Sequence, residues 1–161
     1  MLRFVWVSLV VVLADQLTKF WILANFQEYQ VVEVWPVFNL TLVYNTGAAF
    51  SFLADAGGWQ RYLFAGLALV VSLILLFWLK GMQAQERLTA WAVALVLGGA
   101  VGNLIDRLAY GKVVDFLQWH WEHHYFPTFN LADSAITLGV ILLLIDTFLP
   151  DRKSQDKAQA G

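Results

Sequence analysis

Two aspartates in otherwise apolar surroundings are the residues best suited to chemistry. Asp115 lies in Val113-Val114-Asp115-Phe116, and Asp133 in Phe129-Asn130-Leu131-Ala132-Asp133-Ser134. Two carboxylates in a poorly solvated site do not both ionise easily. One tends to keep its proton, which puts an acid and a base side by side. Such a pair can activate water and protonate a leaving group. Asp133 has a competing local explanation as the N-cap of the apolar run that follows it, since Asp is favoured there. Asp115, inside an apolar, β-prone stretch, has no such local reason.

Other polar residues also sit where they are expensive. Asp15 and Lys19 are four apart, on one face of an apolar helical run. The rise from Phe4 puts Asp15 about 16 Å along that helix. The pair reads either as a self-neutralising ion pair facing other helices or as support for a site. Gly98-Gly99-Ala100-Val101-Gly102-Asn103-Leu104-Ile105-Asp106-Arg107 begins with small residues that permit close helix contact. Asn103, Asp106 and Arg107 then share a face. A plain Asp106–Arg107 charge pair at the helix end would explain neither Asn103 nor the glycines. Asp146 lies about 20 Å beyond Asp133 on the same helix and reads as structural or snorkelling.

His120, Glu122, His123 and His124 do not have H-E-x-x-H spacing, and their Trp and Tyr neighbours suggest an interfacial loop. No metal or other cofactor is expected. Ser51 and Ser134 have no evident base partner, and G-x-S-x-G is absent. Cysteine is also absent, which excludes a disulfide framework, a thiolate metal site and a Cys nucleophile.

The elements that must position these groups are membrane helices. The 161 residues are 60% hydrophobic and 14% charged, too apolar for one soluble core. A net charge of -2 does not suggest nucleic acid. Four apolar runs, Phe4 to Phe26, Tyr62 to Leu79, Leu88 to Ala109 and Leu131 to Leu149, are each near the about 20 residues that cross a bilayer. The expected fold is therefore all-α, with four transmembrane helices. Met1-Leu2-Arg3 and the apolar residues after it resemble a signal peptide. However, the apolar pattern resumes after Asp15 and no small-x-small cleavage site follows, so a retained first span is expected.

Arg3, Lys80, Arg87, Arg152, Lys153 and Lys157 fall on one side of a four-span chain. The positive-inside tendency makes that side cytoplasmic, with both termini inside. The two long segments, Gln27 to Arg61 and Gly111 to Asn130, then lie outside. Leu40 to Tyr44 and Lys112 to Trp121 are β-prone. A small outer-face sheet is expected, with Trp35, Trp59, Trp119 and Trp121 at headgroup level. Residues 1–150 form one membrane domain in this reading, and 151–161 a polar tail on the cytoplasmic side. Helices 3 and 4 run in opposite directions, so Asp115 and Asp133 fall at one depth near the outer boundary.

In order, spacing and membrane placement, five segments resemble the bacterial lipoprotein signal peptidases (signal peptidase II), membrane aspartyl proteases. They are Asp15-Gln16-Leu17-Thr18-Lys19, Asn45-Thr46-Gly47-Ala48-Ala49-Phe50, the run Gly98 to Arg107, Val113-Val114-Asp115-Phe116, and Phe129-Asn130-Leu131-Ala132-Asp133. Each is weak alone, but five in order are specific. The resemblance covers nearly the whole chain apart from the tail and departs at no position that matters for chemistry. It implies Asp115 and Asp133 as the catalytic dyad. Asn103, Arg107 and Asn130 would line the site, and Asp15, Lys19, Asn45 and Gly47 would shape it, with Asp106 beside them. The implied substrate is a prolipoprotein whose cysteine carries diacylglycerol, cut just before that cysteine in the bacterial inner membrane. Membrane lipids would be the other partner, and a monomer would suffice. Gly57-Gly58 would be a hinge of the first outer loop.

A proton relay or transporter would use intramembrane carboxylates too, but would want them spread along a path. A purely structural membrane protein leaves their convergence unexplained.

Overall fold

The computed structural model describes residues 1–47 and 58–148. A single 3-10 turn at Leu2–Phe4 leads into α1, Val5–Asn25. Two strands follow, β1 (Val31–Trp35) and β2 (Phe38–Asn45), then two long helices, α2 (Gln60–Gly81) and α3 (Arg87–Tyr110). The chain returns through β3 (Val113–Trp121) and β4 (His124–Tyr125) into α4, Leu131–Phe148. All four long helices are long and apolar enough to cross a membrane. The bounds sit within about two residues of the runs read from sequence. The hinge residue Gly57, the motif residues Ala48, Ala49 and Phe50, Ser51, Leu149 and the 151–161 tail lie outside the described residues.

The membrane reading also fits what the helices expose. α2 presents Leu63, Leu67, Leu73, Ile74 and Phe77 outward, and in lipid such a surface needs no protein partner. α3 is the central helix and packs against α1, α2 and α4. Its small residues allow this. A side chain at Gly99 would collide with the Ala132 carbonyl of α4, and one at Gly102 would place its Cβ 2.7 Å from Asp15 Oδ2 of α1. One end of the bundle is filled by hydrocarbon, with Phe4, Val7, Leu75, Leu79, Val93 and Leu97 in a single cluster.

The other end carries the sheet. Its four strands are antiparallel, in the order β1-β2-β3-β4. Val43 of β2 pairs with Asp115 of β3, and the register shifts between Leu40 and Val43. Ile22 of α1, Leu42, Val114 and Phe116 form a second apolar cluster that fastens the sheet to the bundle. The expected strands are present, with β3 starting at Val113 rather than Lys112. β1 and β4 had no clear signal: β1 is exposed along its whole length and β4 has two residues, so neither shows alternation. Trp35, Trp59, Trp119 and Trp121 are all exposed at this end.

Candidate active site

The end of α3 places three of the expected residues. Gly111 adopts a left-handed conformation, φ 72°, and its N–H bonds Arg107 O at 3.1 Å. Glycine takes this conformation at no steric cost, so the helix stops and the chain turns into β3. Four residues later Asp115 lies buried, 2% exposed. The start of α4 places Asp133. Asn130, rather than Asp133, caps this helix: the Asp133 N–H donates to Asn130 Oδ1 at 2.9 Å. Asp133 Oδ2 in turn accepts from the Asn130 N–H at 3.3 Å. This reciprocal box leaves Oδ1 of Asp133 free of backbone duty. The two aspartates line one cavity of about 690 Å³.

Three asparagines surround the pair, each presenting its amide N–H. Asn45 Nδ2 donates to Asp115 Oδ2 at 3.2 Å, and Asn130 Nδ2 donates to Asp115 Oδ1 at 2.7 Å. Asn103 Nδ2 donates to Asp133 Oδ1 at 2.8 Å. Asp115 nevertheless has its pKa pushed up to about 7, chiefly by burial and then by the charge of Asp133. The amide donors and Lys19 oppose the rise without cancelling it. At neutral pH this carboxyl is therefore poised between its acid and base forms.

Behind the pair lies a buried ion group. Lys19 Nζ is 2.8 Å from Asp15 Oδ2 and 2.8 Å from Asp106 Oδ2. The Asp15–Lys19 pair is thus not self-contained, and Asp106 pairs with Lys19 of α1 instead of Arg107. Two further bonds tie this group to the backbone. Asp15 Oδ1 accepts from the Ala132 N–H in the first turn of α4 at 2.9 Å, where a carboxylate is favoured by the helix dipole. Asp106 Oδ2 accepts from the Val114 N–H at 3.0 Å, next to Asp115. One lysine and two carboxylates therefore fix α1, α3, β3 and α4 relative to one another.

Arg107 reaches across the mouth. Its guanidinium donates to Gly47 O at 3.4 Å and to Asn103 O at 3.3 Å, and the nearby charges it meets are Asp133, Asp115 and Asp106. All ten residues expected at the site are thus brought together. Sequence reasoning missed Gln16, whose Nε2 donates to Asp106 Oδ1 at 2.9 Å and to Gly102 O at 3.2 Å. Its place beside Asp15 was the available signal. Also missed were the cavity walls, Trp119 and Phe126 above and Ile136, Thr137, Leu138 and Ile141 of α4 along one side.

The residues set apart from the site stay apart. Asp146 accepts the Thr89 hydroxyl at the opposite end of the bundle. Ser134 Oγ bonds Asn130 O, with no base beside it among the described residues. His120 stacks on Tyr125, and Glu122, His123 and His124 are exposed at the β3–β4 turn. No group of three or more metal-ligating side chains occurs among the described residues.

The profile of signal peptidase (SPase) II matches residues 7–149. The chain belongs to the signal peptidase II family. It is 53% identical over 157 residues to the lipoprotein signal peptidase of Shewanella amazonensis, covering 98% of this chain and 93% of that one. It is 52% identical over 147 residues to that of Pseudoalteromonas atlantica, covering 91% and 90%. A solved bacterial membrane enzyme, determined in meso, superposes with a TM-score of 0.81 at 32% identity, covering 90% of this chain and 87% of that chain. Signal peptidase II membership and the multi-pass membrane fold thus agree with both the sequence motifs and the geometry.

Proposed function

We propose that this protein is an intramembrane aspartyl endopeptidase that removes signal peptides from diacylglyceryl-modified prolipoproteins. Cleavage falls just before the lipidated cysteine. The observation that carries this reading is one cavity lined both by Asp115 and Asp133, with Asn45 and Asn103 beside them, and by the apolar α4 residues Ile136, Leu138 and Ile141. Leu138 and Ile141 are about half exposed on the helix surface. In a bilayer an acyl chain lying along α4 reaches the carboxylates without crossing water.

Asp133 acts as base and takes a proton from water as its oxygen attacks the scissile carbonyl. Asp115, protonated, gives its proton to the carbonyl oxygen. The tetrahedral diol then collapses: Asp133 returns a proton to the leaving nitrogen, the C–N bond breaks, and a diol hydroxyl returns its proton to Asp115. No covalent enzyme intermediate forms. Asn103, Asn130 and Asn45 hold the carboxylates, Arg107 and Gly47 position the substrate backbone, and Asp15, Lys19 and Asp106 hold the frame.

The sheet-bearing end faces the outer side of the bacterial cytoplasmic membrane. Arg3, Lys80 and Arg87 at the other end face the cytoplasm. Residues 1–150 act as one peptidase domain, and a single chain supplies the site. A signal peptide spans with its basic end inside and its cleavage site outside, at the depth of Asp115 and Asp133. The test is cleavage of a diacylglyceryl precursor beside its unlipidated form, with the products weighed by mass spectrometry. The lipidated form should be cut before the cysteine and the other should persist. Equal cleavage of both would overturn the lipid specificity.

A further inference from the structure

The three asparagines around the aspartate pair share a feature that the proposed chemistry does not require: each carbonyl oxygen is held by a hydrogen-bond donor of its own. Asn45 Oδ1 accepts from the Gly47 N–H at 3.0 Å. Asn130 Oδ1 accepts from the Asp133 N–H at 2.9 Å. Asn103 Oδ1 accepts from Lys19 Nζ at 3.0 Å and from Asn130 Nδ2 at 3.1 Å. A side-chain amide has one donating and one accepting end. Anchoring the oxygen therefore forces the N–H onto the carboxylate. Two of these anchors are backbone N–H groups of the local turn or cap. Only Asn103 takes a cation as an anchor, Lys19 of another helix, with the Asn130 amide as its second donor.

We propose that Lys19 is a positioning residue that acts through Asn103, turning its amide N–H toward Asp133 so that Asp133 is held as the base of the pair. An ammonium group is a donor only, and it cannot face the nitrogen end of the amide. While Lys19 is in place, Asn103 offers Asp133 an N–H and never an oxygen. An N–H stabilises a carboxylate and disfavours a carboxylic acid. The shared proton is thereby directed to Asp115, which fits the upward shift of that carboxyl by burial. This rests on the dyad assignment. Among the described residues, the charged groups facing Asp133 are Arg107 of α3 and Asp115 of β3, with Lys19, Asp15 and Asp106 forming the ion group behind Asn103. β2 contributes the neutral Asn45.

The test separates this role from charge balance. Lys19→Met combined with Asp106→Asn keeps the net charge of the buried ion group, so it is compared with wild type, and Asp106→Asn alone shows what loss of that carboxylate does by itself. Asn103→Ala removes the amide while leaving the Asp15–Lys19–Asp106 ion group whole. Each is reconstituted in vesicles, its fold checked by thermal unfolding, and kcat and KM for a lipidated precursor are measured against pH. Loss of one hydrogen bond to a charged group should raise the ascending limb of kcat by about one to two pH units. That rise is expected in the double variant and in Asn103→Ala, each against wild type, and not in Asp106→Asn alone, with KM nearly unchanged. Superposable limbs in either comparison would overturn the proposal. Full cleavage by Asp133→Asn is a separate result: it would overturn the dyad assignment itself.

Discussion

The two ends of the helix bundle are buried alike and built from opposite materials. At the far end Leu79, Ala90, Val93 and Ala94 are wholly covered, and the space is filled by hydrocarbon. At the sheet end, beside the apolar cluster around Ile22 and Val114, the equally covered residues include Asp15, Lys19, Asp106, Asp115 and Asn130. Lipid is as apolar as leucine, so neither end is assembled by expulsion of water between helices. The far end is held by close packing. The sheet end is held by hydrogen bonds with matched partners, because an unpaired charge there would cost several kcal/mol. Hydrocarbon would have filled the sheet end at less risk. What the charges add is a set of directed donors and acceptors at fixed positions.

This contrast can be broken at several points. Asn130→Ala removes a donor to Asp115 and the cap of α4 together. It should lower kcat by about 100-fold or more and stability by about 1 kcal/mol, read by precursor cleavage and thermal unfolding. Gly99→Val acts between the ends, by driving a side chain into the Ala132 carbonyl. It should shift the start of α4, cost about 1–3 kcal/mol and slow cleavage by about 10- to 100-fold through misplacement of Asp133. A pH profile of the unaltered enzyme probes the sheet end alone. Asp115 carries its proton below about 7 and loses it above, so kcat/KM should fall as pH rises through about 7. The stability follows the same sign. The folded state keeps a proton that the unfolded chain releases near 3.8, so stability should decline between those pH values and level off above about 7. Unfolding at pH 5 and pH 8 checks this. The smallest effect belongs to the far end. Asp146→Asn keeps a hydrogen-bonding partner for Thr89 and should leave cleavage within about twofold of wild type.

The far end and the spans were the most legible parts of the sequence, because about 20 apolar residues with few charges have few other uses. The two central aspartates were legible for the opposite reason, as charges without local purpose. The pairing of those charges was not. Asp106 and Arg107 are neighbours in sequence, and nothing local says that Asp106 turns to Lys19 while Arg107 turns to Gly47. That choice depends on how close α1 comes to α3, which Gly102 permits. The capping role likewise passed from Asp133 to Asn130, because helix starts are uncertain by a residue or two. Gln16 was hidden by its chemistry, since a neutral amide in a polar motif gives no sign of burial. β1 and β4 lack alternation and become strands only because β2 and β3 offer them an edge.

The central claim is that Asp115 and Asp133 together perform the cleavage. Its most direct test is single-turnover processing of a diacylglyceryl prolipoprotein by vesicle-reconstituted Asp115→Asn and Asp133→Asn, with Asp146→Asn as control. Both dyad variants should insert and fold yet lose at least about 1,000-fold in rate, while the control cuts normally. Processing at the normal rate by either dyad variant would contradict the account.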